Sequence, residues 1–244
     1  MRLYCKLRLM LGCSAAFGWF ILRDISFHAV LPMIPLGLLY YVIARRFRGS
    51  FWLNAATAAG TALIATTAVG EGVFDGNGYL SLLCLLLAVG VGAIGMSKVE
   101  LSRISGWWIA AFFASYCLMF IATFPGIRFR TELPLLAEWS DVLVLYLLAF
   151  IEPLSLGRDY RGSPFLLGVL LLPFSVVSFL ALGDGAFELA EYPYLSVWSG
   201  VAVSAFHHLE GIILCLYFGV AALRVAFFFV EIQKIHCNRL EGML

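Results

Sequence analysis

Long apolar segments recur along the chain, and they restrict its fold more than any other feature. Hydrophobic residues make up 62% of the 244 residues, charged residues only 13%, and the mean hydropathy is +0.96. A helix needs about 20 predominantly apolar residues to cross a bilayer, because each residue advances about 1.5 Å through a hydrocarbon layer about 30 Å thick. The sequence therefore predicts an all-α integral membrane protein that contacts lipid, rather than a soluble domain.

Eight segments are apolar and long enough, or nearly so, to cross the membrane. The predicted spans are 9–22, 25–44, 51–70, 79–97, 107–124, 142–157, 164–182 and 209–230. A ninth apolar segment, 193–206, is too short to cross and is predicted to be a short helix on the outer face. Because no polar linker divides the chain, we expect residues 1–244 to form a single polytopic domain with a retained first helix.

The basic residues predict the orientation of the chain, since lysine and arginine accumulate on the cytoplasmic side of membrane proteins. With the N-terminus inside, twelve of the sixteen basic residues fall in inner segments: Arg2, Lys6, Arg8, Arg45, Arg46, Arg48, Lys98, Arg103, Arg158, Arg161, Lys234 and Arg239. Eight crossings then return the C-terminus to the same side. Both termini are therefore predicted to be cytoplasmic.

Four polar residues are spaced seven positions apart in the apolar segment 206–234, namely Glu210, Tyr217, Arg224 and Glu231. Seven residues rotate an α-helix by about 700°, about 20° short of two turns, so these side chains are predicted to form one stripe. His207 lies on the same face. Two interpretations are open: the stripe lines a wet ligand-binding wall, or it bonds one helix to its neighbours.

A second candidate lies in the sixth predicted span, where Glu152 is followed directly by Pro153. Proline lacks a backbone donor and disfavours helical geometry at the residue before it. A carboxylate beside an interrupted helix is typical of binding sites at the middle of the bilayer. The alternative is that Glu152 lies near the inner helix end and reaches the membrane surface.

Several other classes of function lack their sequence signals. The net charge is +1 and no basic run alternates with aromatic residues, so no nucleic-acid partner is expected. Residues 207–210, HHLE, lack a second cluster of metal ligands, and no metal or cofactor is predicted. The six cysteines form no CxxC pair and are interpreted as reduced packing residues. An intramembrane enzyme that uses Asp141, Asp184 or His207 is a third, less favoured alternative, and no catalytic residue is predicted.

Residues 183–225 contain the most specific motif, a glycine-and-acid loop, a Tyr-Pro-x-Leu segment and an acidic residue that enters an apolar helix. The matching positions are Tyr192, Pro193, Leu195 and Glu210. This stretch resembles the spore-germination permeases, the B subunits of nutrient germinant receptors and relatives of amino-acid/polyamine/cation transporters. His208 stands where that family usually has arginine. Segments 23–49, through Asp24, and 95–105, through Arg103, are similar to the second span and an inner turn of the family.

The resemblance implies a fold of ten spans in two inverted five-helix repeats, with the first and sixth spans interrupted around a central site. Only eight spans are predicted in this chain, so we expect a divergent member that lacks the last two. A location in the inner membrane of bacterial spores is also implied.

The preferred hypothesis is a permease-like subunit of a germinant receptor that binds a small nutrient, such as an amino acid, and signals to partner subunits. Glu152 and Arg224 would hold polar groups of the ligand beside Pro153, with Tyr146 and Tyr217 as pocket walls. The alternative is a non-transporting membrane scaffold or assembly protein, in which the same polar residues pack helices together.

Overall fold

A computed structural model describes residues 2–23, 27–44, 49–74, 76–123, 139–156 and 209–241, together with positions 25, 46, 176, 180 and 197. These residues are helical or belong to short connections, and no strand occurs among them. The helices are α1 (Arg2–Leu22), α2 (Phe27–Val30), α3 (Met33–Ala44), α4 (Phe51–Val73), α5 (Gly78–Gly95), α6 (Lys98–Thr123), α7 (Trp139–Leu156) and α8 (Leu209–Glu241). The all-α prediction is confirmed for this part of the chain.

Four helices of the described residues are long and apolar enough to cross a membrane. They contain Phe51–Glu71, Gly78–Gly95, Val99–Thr123 and Gly211–Gln233, and they overlap the predicted spans 51–70, 79–97, 107–124 and 209–230. The expected number of about eight is not reached within these residues. The predicted span 164–182 and the outer segment 193–206 lie outside them, apart from the isolated positions. The chain is thus a membrane protein by helix length and composition.

The predicted second span, 25–44, consists of two helices rather than one. Helix α2 ends at Val30, and a turn at Leu31 and Pro32 precedes α3. Proline disfavours helical geometry at the residue before it and has no N–H to donate, so Pro32 accounts for the interruption.

Helix α6 begins nine residues before the predicted span 107–124. Its start is a capping box, in which the Ser97 backbone N–H donates to Glu100 Oε2 over 2.8 Å and the Glu100 N–H donates to Ser97 Oγ over 3.3 Å. This reciprocal pair satisfies two backbone donors that a helix end leaves open. Hydropathy alone misses these first turns because they are polar.

The relative directions of four helices follow from contacts at two levels along the length of the bundle. Contacts at the first level connect Gly12, Thr57, Glu152 and Arg224. Contacts at the second level connect Gly18, Ile64 and Tyr217. Trp19 Nε1 also donates to the backbone carbonyl of Asp141 at 3.1 Å. Between the two levels residue numbers rise in α1 and α4 and fall in α7 and α8. Helices α1 and α4 therefore run in one direction, and α7 and α8 in the other.

Helix α8 lies at the centre of the described bundle, where it packs against α1, α4, α5 and α6. Its buried side chains include Ile213, Leu214, Tyr217, Arg224 and Phe227. By contrast, one face of α5 carries exposed large apolar side chains, namely Leu82, Leu83, Leu86, Leu87, Val91 and Ile94. A continuous apolar face of this kind is what lipid chains contact in a membrane protein.

Candidate functional site

The polar stripe of α8 is turned toward neighbouring helices. Tyr217 and Arg224 have no exposed surface, and Glu231, one further step of seven along the helix, is half-buried. Glu210 belongs to the helix, but its side chain, like residue His207, lies outside the described part of the structure. The expectation that Tyr217 and Arg224 face protein rather than lipid is therefore confirmed.

Arg224 pairs with the carboxylate predicted independently on α7. Arg224 Nη2 lies 2.9 Å from Glu152 Oε2, and both side chains are fully buried. An ionised group inside a membrane is costly unless it is paired, so a contact at this distance supplies the counter-charge that each residue needs. The two candidates with opposite charge thus belong to one site.

Helix α4 completes the surroundings of the ion pair. Arg224 Nη2 also donates to Asn54 Oδ1 at 2.6 Å and to Thr57 Oγ1 at 2.7 Å. In turn Asn54 Nδ2 donates to Glu231 Oε2 at 2.6 Å. A continuous polar network therefore connects half-buried Glu231, through α4, to the buried ion pair on α7 and α8.

Three buried polar atoms beside this network have no hydrogen-bond partner among the described residues. They are Arg224 Nε, Arg224 Nη1 and the Tyr217 hydroxyl oxygen. Buried polar groups are nearly always hydrogen-bonded, and each exception calls for an explanation such as a bound water or ligand. These three atoms are therefore the part of the site that can form hydrogen bonds with a bound molecule.

Two glycines let α1 approach the site closely. A Cβ atom on Gly12 would overlap the Glu152 side chain, and a Cβ atom on Gly18 would overlap the Tyr217 ring and hydroxyl group. Small residues allow membrane helices to pack at short distances. Helix α1 thus covers both polar side chains from the same side of the bundle.

The other predicted site residues occupy different positions on α7. Pro153 lies within α7 next to Glu152 and is buried. Ser155 Oγ donates to the Glu152 carbonyl over 2.7 Å. Tyr146 donates from its hydroxyl group to the Ala29 carbonyl on α2 over 2.7 Å. Tyr146 is six residues, or about 9 Å, from Glu152 along the helix, and its hydroxyl bond joins α7 to α2.

Only one of the alternative enzymatic residues, Asp141, belongs to the described part of the structure. Asp141 lies at the start of α7, where its carboxylate is 3.7 Å from Arg23 Nε, and Arg23 stacks over the Trp19 ring at 4.9 Å. Asp184 and His207 lie outside the described residues.

Within the described residues, no group of three histidine, cysteine, aspartate or glutamate side chains is placed to hold a metal. The described cysteines Cys13, Cys84, Cys117 and Cys215 are free thiols.

Asn54 and Thr57 were not predicted as site residues, although the sequence contains a signal for them. Asn54, Thr57 and Thr61 are spaced by three and four residues in an otherwise apolar span, and all three are buried. This is the spacing of one helix face. A polar face on a membrane helix indicates a polar neighbour, but it does not identify which helix provides that neighbour.

Comparison of the chain with protein-family models, with curated proteins and with solved structures gave no match. The site is therefore interpreted from its own geometry.

Proposed function

We propose that this protein is a permease-like membrane subunit that binds a small polar solute inside its helical bundle. The observation that supports this proposal is a set of three polar atoms on Arg224 and Tyr217 that are buried beside an ion pair and have no hydrogen-bond partner among the described residues. A solute oxygen accepting from the guanidinium group would supply the missing hydrogen bonds where bulk water has little access. The ligand would be an amino acid, a sugar or a molecule of similar size and polarity.

Fewer residues are proposed to contact the solute than the sequence predicted as site residues. Arg224 would donate from Nε and Nη1, Tyr217 would donate or accept through its hydroxyl group, and Glu152 would hold the guanidinium in place. Tyr146 is left out because its hydroxyl already donates to a backbone carbonyl. Pro153 would contribute by interrupting the α7 ladder next to Glu152.

The narrower proposal is a B-type subunit of a spore germinant receptor, in the spore inner membrane, with both termini cytoplasmic and with partner receptor subunits. It is supported by the motif resemblance of residues 183–225 and by the distribution of basic residues. The eight-span topology also belongs to this proposal. Helices α7 and α8 run in the same direction, so a chain in which both cross the bilayer must return between them, as the predicted span 164–182 would do.

Thermal unfolding of the purified protein in detergent tests solute binding. Common L-amino acids and simple sugars are added one at a time, and we expect at least one to raise the melting temperature of the parent protein. Tyr217→Phe should melt at or slightly above the parent temperature without solute, because the hydroxyl group has no described protein partner to lose. The same variant should lose most of the solute-dependent shift.

Tyr146→Phe is the matched control, since it removes a hydroxyl group from the same bundle at a position bonded to protein. It should lower the melting temperature by a few degrees, as expected for a lost hydrogen bond of about 1 kcal/mol, and keep the solute shift. If no solute in the set stabilises the parent protein, the binding proposal fails. An equal solute shift in the parent and in Tyr217→Phe would exclude Tyr217 from the site.

A non-transporting scaffold is the second candidate, and the close packing of α1 favours it. The polar network joins α4, α7 and α8, and Gly12 and Gly18 place the α1 backbone directly against Glu152 and Tyr217. In this function the network would fix one helix arrangement for a partner protein. A site that stabilises the fold but responds to no solute would support the scaffold.

A further inference from the structure

Three oxygen atoms from two helices converge on one nitrogen atom. Arg224 Nη2 is surrounded by Asn54 Oδ1 at 2.6 Å, Thr57 Oγ1 at 2.7 Å and Glu152 Oε2 at 2.9 Å. The Asn54 amide is held in this orientation by its own bond to Glu231. The cage is therefore built from a carboxylate, an amide carbonyl and a hydroxyl group, and it is closed to solvent.

The three oxygens of the cage surround a single nitrogen atom and are not arranged along the planar two-nitrogen edge of a guanidinium group. Nη2 carries two hydrogens, so three acceptors cannot each receive a separate one, and at least one oxygen is held by charge or by a shared hydrogen. Arginine usually binds carboxylates through two nitrogens at once. Here the other two guanidinium nitrogens have no partner among the described residues. The polar contacts are thus concentrated on one atom.

We propose that Asn54, Thr57 and Glu152 form a site for a monovalent cation, and that Arg224 occupies it with its own Nη2. Neutral and anionic oxygens are the ligands of hard cations, and one carboxylate balances one positive charge. Of the three distances, those to Thr57 and Glu152, 2.7 Å and 2.9 Å, exceed the range of about 2.3–2.6 Å for Ca²⁺, and that to Asn54, 2.6 Å, equals its upper limit. They suit a larger ion of the K⁺ class.

Occupation of the cation site by Arg224 itself has a functional consequence that does not depend on a bound solute. Since the chain supplies the positive charge itself, the stability of the bundle should not depend on Na⁺ or K⁺. Removing the arginine side chain should convert the cage into a site that takes a cation from solution.

The first experiment compares the parent protein with Arg224→Ala during thermal unfolding in three chloride salts of equal ionic strength. The salts are potassium, dilute guanidinium and N-methyl-D-glucamine, the last being too bulky for the cage. We expect no difference between salts for the parent, and a rise of about 3 °C for Arg224→Ala in potassium or guanidinium over N-methyl-D-glucamine. The Arg224→Ala/Glu152→Gln variant should lose this rise. An Arg224→Ala protein that melts alike in all three salts overturns the proposal, as does an equal response in the double variant.

A second comparison, Arg224→Lys with Arg224→Gln, applies if Arg224→Ala does not fold. Lysine offers one nitrogen with three hydrogens, which matches three oxygens, whereas glutamine offers no charge. Arg224→Lys should melt close to the parent protein and Arg224→Gln well below it. If Arg224→Lys falls as far as Arg224→Gln, the cage requires a guanidinium fork and the proposal is wrong.

The lysine variant also separates this proposal from the proposed function. Lysine lacks the nitrogens that correspond to Nε and Nη1, so Arg224→Lys should lose any solute-dependent shift while it keeps its stability. A parent protein that binds no solute leaves the expected stability of Arg224→Lys unchanged. The two proposals can therefore fail independently.

Discussion

Replacing Arg224 with methionine is expected to destabilise the bundle strongly, because it leaves the Glu152 carboxylate buried without its counter-charge. Both side chains are fully buried and their charged atoms are 2.9 Å apart. Removing one partner of a buried pair costs about 3–5 kcal/mol. In a chain of this size each kcal/mol lowers the melting temperature by about 2–4 °C, so Arg224→Met should melt about 6–20 °C below the parent protein.

The double variant Glu152→Gln/Arg224→Met shows whether this loss comes from the pair itself. With both charges gone, no uncompensated ion is left inside the bundle, and the double variant should melt above Arg224→Met. Unfolding is followed by tryptophan fluorescence of the purified proteins in one detergent without added solute. If the losses of the two single variants simply add in the double variant, the two groups do not interact. An Arg224→Met protein that melts within about 2 °C of the parent would show that the pair is exposed to water.

Three further perturbations test other parts of the bundle by the same melting assay. Gly18→Ala should destabilise the protein by about 1–3 kcal/mol through overlap with Tyr217. Gly90→Ala on α5, where no atom of the described residues lies within 4 Å of the added Cβ, should be neutral or stabilising. Equal effects of the two substitutions would argue against the close α1 contact. Asn54→Leu removes the hydrogen bonds to Arg224 and Glu231 and should lower the free energy of unfolding by at least about 2 kcal/mol. A neutral effect would contradict the network. Asn77→Ala should cost about 1 kcal/mol by loss of the α5 N-cap, and Asn77→Asp, which keeps the acceptor, should not.

The seven-residue stripe shows what periodicity can and cannot predict. The 3.6-residue period of a helix identified Tyr217 and Arg224 as one face, and apolar composition required that face to be protected from lipid. The same reasoning selected Glu152 separately. It could not predict that Glu152 and Arg224 touch, because periodicity describes the faces of one helix and contains no information on which helix lies opposite.

Local backbone chemistry accounts for most of the differences between predicted and observed helix bounds. Hydropathy joined residues 25–44 into one span because Pro32 is apolar, whereas its ring interrupts the helix there. Hydropathy also omitted the polar start of α6, which the capping box of Ser97 and Glu100 sets at Lys98. Both corrections follow from residues whose backbone preferences are independent of their hydrophobicity.

The charge balance of the network restricts the chemistry of any solute bound beside it. Arg224 contributes one positive charge to the interior, and Glu152 already neutralises it at 2.9 Å. Glu231, which Asn54 connects to the same guanidinium, adds a second carboxylate at the half-buried edge. An anionic solute would therefore enter a region whose positive charge is already matched, and its desolvation would not be compensated. The donors of Arg224 and Tyr217 that have no partner among the described residues would thus suit a solute without net charge, either neutral or zwitterionic, that presents oxygen acceptors.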